Sequence, residues 1–178
     1  TVAVVATAAA IAYLLATIWA MQYTSYDVWG ALIVAPLIGF LLVVVVKRAF
    51  TGQLVELRRA AYVGIAAKLV GTLARYWVAF DAYGGLADSA EYHRVGRVIA
   101  GEFRSGELSI FQMIPHTTGT RSVGEITGLL YAIVGSSKLA GFLWFAAFGF
   151  TGAVLMVKAA CVAVPQLSRH RFAWLCFL

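Results

Sequence analysis

The sequence predicts an all-α fold, a polytopic transmembrane helical bundle, on three observations. Of its 178 residues, 62% are hydrophobic and 12% charged, with a mean hydropathy of +0.85; globular domains are about one-quarter charged. Several stretches with few or no charges reach the roughly 20 residues that a helix needs to cross a bilayer. The weak alternation of a membrane barrel is absent, and backbone in lipid must hydrogen-bond within its own segment, which leaves helices.

Each span follows from where the charges fall. Residues Val2 to Gln22 carry none and form the first span; without a basic leader they read as a true helix rather than a cleaved signal. Tyr23 to Asp27 is a short polar turn. Trp29 to Val46 is the second span, with Pro36 as an expected kink. Ala60 to Phe80 is the third and Leu139 to Lys158 the fourth. Another apolar run begins at Phe172 and holds seven residues, too few to cross, and the chain opens on Thr1. It is therefore expected to be the N-terminal portion of a longer transmembrane protein.

Orientation follows from basic residues beside the span ends. Lys47, Arg48, Arg58 and Arg59 face one acid, Glu56, in the connection between spans two and three, which predicts a cytoplasmic location. The connection after the fourth span carries Arg169 and Arg171 and falls on the same side. The N-terminus is then cytoplasmic and the loop 81–137 extracytoplasmic, in a multi-pass protein of the cytoplasmic membrane. The net charge of +6 is accounted for by these connections and a few anion contacts, so no nucleic-acid partner is expected. Cys161 and Cys176 fit neither a disulfide framework nor a metal spacing.

The polar stretch from Asp81 to Glu125 holds six of the eight acidic residues. Within it, Asp88 to Arg104 has helical spacing: Tyr92, Val95, Val98, Ile99 and Phe103 share one apolar face, and Glu91, Arg94, Arg97 and Arg104 supply polar surface. Such a helix, flanked by spans, is expected to lie in the membrane interface. Asp88 falls in its first turn, where an acid also serves as an ordinary cap. A second interfacial helix is expected after Arg121, following a loop and turn around Pro115 and His116. Lys68 and Arg75 lie on nearly one face of the third span, where cations are costly and face a cavity, a partner or the headgroups.

The run Asp88-Ser89-Ala90-Glu91-Tyr92, then Gly96, Ile99-Ala100 and Gly106, resembles the large extracytoplasmic loop of the GT-C superfamily. These are integral-membrane glycosyltransferases that use polyprenyl-phosphate-linked sugars. Thr120-Arg121 to Gly135 resembles the second surface helix of that loop, and the likeness covers about Asp81 to Gly152. It is greatest to the large actinobacterial members. Two departures stand out: Ser89 follows Asp88 where many relatives have Glu, and the loop follows the third span rather than the first.

The resemblance implies an enzyme that transfers a sugar from a polyprenyl-phosphate donor to a cell-envelope glycan or lipid acceptor. Asp88 is then the expected general base, with Asp81 as the alternative; a positioned carboxylate takes the proton of a weak hydroxyl nucleophile as the bond forms. Arg75, Arg121 and His93 are the expected contacts of the donor phosphate, whose developing charge needs fixed cations. Glu91, about one helical turn from Asp88, is placed on the acceptor or on a divalent cation, or else pairs with Arg94 or Arg97. Two other readings stay open: a transporter or lipid-handling protein using Lys68 and Arg75, and a non-catalytic subunit of a membrane complex.

Overall fold

The computed structural model describes residues 2–86, 88–109, 120–168 and 176–177. Among them the chain is all-helical, with six helices. These are α1 (Val2–Tyr23), α2 (Tyr26–Ala49), α3 (Leu57–Trp77), α4 (Asp88–Ser105), α5 (Thr120–Val134) and α6 (Lys138–Ala163). A π turn, Val78–Ala82, prolongs α3. Among the described residues, four helices are long and apolar enough to cross a membrane: α1, α2, α3 with its π turn, and α6.

The helix starts differ in two places from those the charge pattern predicts. Helix α2 begins at Tyr26 rather than Trp29, so Asp27 lies in its first turn, where the positive end of the helix favours an acid. Helix α3 begins at Leu57 rather than Ala60 and carries Arg58 and Arg59 inside it. Arg58 is not solvated surface: its guanidinium donates to the carbonyls of Phe50 at 2.7 Å and Lys47 at 3.0 Å, which closes the C-terminus of α2. Pro36 lies within α2, which continues through it. The loop around Pro115 and His116 lies outside the described residues, as does the run from Phe172 apart from Cys176 and Phe177.

The chain divides into two compact units. The second comprises Pro36–Glu91 and Gly141–Leu178. Its core includes Val46, Phe50, Leu57, Ala61, Phe150, Val154 and Val157, all buried. Phe177 packs on Phe50 and Phe150 at ring separations of 6.1 and 5.5 Å. Gly64 makes room for it, since a Cβ there would come within 2.7 Å of the Phe177 Cβ.

The first unit comprises Thr1–Ala35 and Tyr92–Ala140. Its centre is a seam of small residues between α4 and α5. A Cβ on Gly96 would strike Thr127 at 2.6 Å, and one on Gly124 would strike Val95 Cγ1 at 2.7 Å. Ala100 is buried one turn beyond Gly96, and Gly128 one turn beyond Gly124. Small residues at this four-residue spacing let two backbones approach closely, as they do between membrane helices. The α4 side of this seam is made by Val95, Gly96, Ile99 and Ala100, whereas Val98, expected on the apolar face, is 54% exposed.

Candidate functional site

Four elements of the first unit converge at the point where α2 and α6 begin. The α1–α2 turn supplies Ser25. The first turn of α2 supplies Tyr26 and Asp27. Helix α4 supplies His93 and Arg97, and the α5–α6 connection supplies Ser136, Ser137 and Lys138. Apart from Ser137, these residues line a cleft of about 400 Å³.

Helix capping builds the cleft. Ser137 is fully buried at the N-terminus of α6, where its hydroxyl accepts the Ala140 N–H at 3.0 Å and donates to the Asp27 carbonyl at 3.0 Å. Asp27 Oδ1 accepts the Lys138 N–H at 2.7 Å, and Oδ2 lies 3.4 Å from the Lys138 ammonium. One carboxylate therefore satisfies an orphan donor of α6 and pairs with its first side chain. The other end of the connection is closed by Tyr26, whose hydroxyl donates to the Val134 carbonyl at 2.8 Å. Gly135 follows with φ +88°, and a Cβ there would overlap the Tyr26 hydroxyl, so position 135 requires glycine on both counts. Arg104 donates to the Tyr131 and Ala132 carbonyls and completes the C-cap of α5.

The cations of the cleft differ in state. Arg97 is exposed at its rim, and Lys138 is held by Asp27. His93 is half-buried, with Nδ1 2.9 Å from the hydroxyl of the buried Tyr131 and the two rings edge-on at 5.5 Å. Burial pushes the His93 imidazole below its ordinary range, Lys138 and Arg97 push it further down, and Asp27 opposes them. Burial, with Asp27 adding to it, raises the Tyr131 phenol well above its usual value, so it remains a hydroxyl. His93 thus lines the cleft as a neutral imidazole, paired with the protonated phenol of Tyr131. The cleft can receive an anion: Arg97 and Lys138 supply charge, and the Ser25 and Ser136 hydroxyls supply donors.

Of the site residues proposed from the sequence, His93 lines this cleft. Arg121 pairs instead with Glu125, Nε to Oε1 at 3.1 Å along one face of α5. Its side chain is 71% exposed, whereas that of Glu125 is 5% exposed and its second oxygen has no hydrogen-bond partner among the described residues. Asp88, Glu91, Asp81, Arg75 and Lys68 belong to the second unit. Asp88 is the exposed first residue of α4, Glu91 is exposed one turn later, and Asp81 is exposed within the π turn. On α3, Arg75 is exposed and Lys68 half-buried. Among the described residues no cluster of three His, Cys, Asp or Glu that could hold a metal ion is formed. Asp27, Arg97 and Lys138 escape a reading of the sequence. The one available signal is Asp27 itself, a single acid in a short turn between two charge-poor spans. No protein-family model, curated protein or solved structure matches the chain.

Proposed function

We propose that this is a membrane-embedded glycosyltransferase of the GT-C kind. It would take a sugar from a polyprenyl-phosphate donor and pass it to a cell-envelope glycan or lipid on the outer face of the cytoplasmic membrane. The observation that carries this reading is the cleft lined by His93, Arg97 and Lys138, set where three apolar helices end or begin. Trp19, Tyr23, Tyr26 and Trp29 gather near that end of α1 and α2, with ring separations of 5.6 Å for Trp19–Tyr23 and 4.5 Å for Tyr26–Trp29. Such residues favour the headgroup level of a bilayer, which is the depth of a lipid-linked phosphate. In this reading Arg97 and Lys138 hold the donor phosphate beside His93, and they take that role in place of the ion-paired Arg121.

Asp88 is the proposed general base, on its sequence setting, and Asp81 is the alternative. A hydroxyl acceptor loses its proton to the carboxylate as its oxygen bonds to the sugar carbon, and the lipid phosphate leaves with the bond electrons. Loss of a positioned base costs about 10²–10⁴ in rate. The test is sugar transfer from a labelled polyprenyl-phosphate donor by the chain in lipid nanodiscs. Asp88→Asn should abolish transfer with folding unchanged, and Arg97→Gln should raise the KM for donor. Undiminished transfer by Asp88→Asn would remove Asp88 from the mechanism. An unchanged donor KM in Arg97→Gln would remove the cleft.

A further inference from the structure

The charged groups of the cleft are unequally available. Arg97 stands at the rim, and His93 is held neutral by its surroundings. The remaining cation, Lys138, already has a carboxylate 3.4 Å from its ammonium. That carboxylate is also fixed in place, because its other oxygen accepts the Lys138 N–H at 2.7 Å. Asp27 therefore cannot swing away without uncapping α6, whereas the Lys138 side chain, 32% exposed on its flexible stem, can turn toward an incoming group. An anion entering the cleft meets a lysine that must be taken from an immobile competitor.

We propose that Asp27 is an internal counter-ion of the cleft: a phosphate group binds by recruiting the Lys138 ammonium from the Asp27 carboxylate, and Asp27 sets the affinity and the ease of release. This rests on the reading of the cleft as an anion site, and it gives Asp27 a role distinct from that of a base. The carboxylate holds the Lys138 ammonium beside the cleft when no ligand is there. It weakens binding of any phosphate that has to leave again, which suits a site that turns over. The same chemistry serves a phosphate on a lipid headgroup or a free one.

The experiment measures affinity for two probes, inorganic phosphate and a long-chain alkyl monophosphate in neutral phosphatidylcholine vesicles. It compares the wild type with Asp27→Asn, Lys138→Gln, the double variant and Arg97→Gln. Asparagine keeps an oxygen that can accept the Lys138 N–H, so α6 stays capped; an unchanged melting temperature checks this. Freeing the Lys138 ammonium from its competing carboxylate 3.4 Å away should tighten phosphate binding about tenfold. Lys138→Gln should weaken binding, and Asp27→Asn should then bring no gain, because the competition needs the lysine. A gain confined to the vesicle probe assigns the site to a lipid headgroup; an equal gain with inorganic phosphate assigns it to the phosphate alone. If Asp27→Asn is silent while Arg97→Gln still weakens binding, the anion site stands and the counter-ion is overturned. A gain that is as large without Lys138 overturns the counter-ion in the same way. If neither probe binds to wild type or Asp27→Asn, the anion site falls and the counter-ion with it.

Discussion

Asp27 holds Lys138 twice, by a 2.7 Å hydrogen bond to its backbone N–H and by a 3.4 Å ion pair with its ammonium, across 111 positions of sequence. One carboxylate thereby joins the start of α2 to the start of α6. Its removal should weaken the fold as well as alter the cleft. Asp27→Ala removes the acceptor of the Lys138 N–H at the α6 terminus and the ion pair with its ammonium, and a hydrogen bond to a charged group contributes about 1.5–3 kcal/mol. Thermal unfolding in detergent should show a loss of that order, with Asp27→Asn recovering most of it.

The α4–α5 seam predicts a compensating pair. Gly124→Ala places a methyl 2.7 Å from Val95 Cγ1, and overpacking of this kind costs about 1–3 kcal/mol. Val95→Ala removes the struck methyl and should restore most of the loss in the double variant, although alone it is mildly destabilising. Melting temperatures of the four chains test the coupling; strict additivity would mean that the seam is not close-packed.

Acid should loosen the first unit through His93. Its folded-state pKa lies below the ordinary 6.5, so the folded chain binds fewer protons than the unfolded chain between the two values. Stability from this group is then fully present above about pH 6.5 and is lost as pH falls toward the depressed folded value. The melting temperature should fall as pH is lowered through that window in the wild type. The slope should flatten in His93→Gln, which cannot take up the proton.

The spans are legible because lack of charge is a local property, visible in any window of the sequence. On α4 the spacing singles out Val95 and Ile99, which meet α5, but not Gly96 and Ala100, whose small size allows the close approach. Sequence and structure part where a charge has a distant or unexpected partner. Arg58 and Arg59 read as connection ahead of the third span, yet α3 runs through both because Arg58 is spent on the carbonyls that end α2. Asp27 reads as part of a polar turn because its partner lies on another helix. Arg97 reads as ordinary polar surface of α4, and nothing in its neighbours reveals that Asp27 and Lys138 stand at the same cleft. Arg121 reads as a cation ready for phosphate, but Glu125, one turn on, engages it.

The hydrogen bond from Tyr26 to Val134 closes a circuit of 108 residues, and Asp27 reaches Lys138 beyond it. The earliest-made wall of the cleft must therefore wait for the latest. During synthesis α1 and α2 emerge with Tyr26 and Asp27 unengaged, and they stay so until the α5–α6 junction has been translated. Competence to hold an anion would thus arise only when the fourth span begins to enter the membrane, so the cleft keeps time with insertion and stays unformed in any shorter nascent chain.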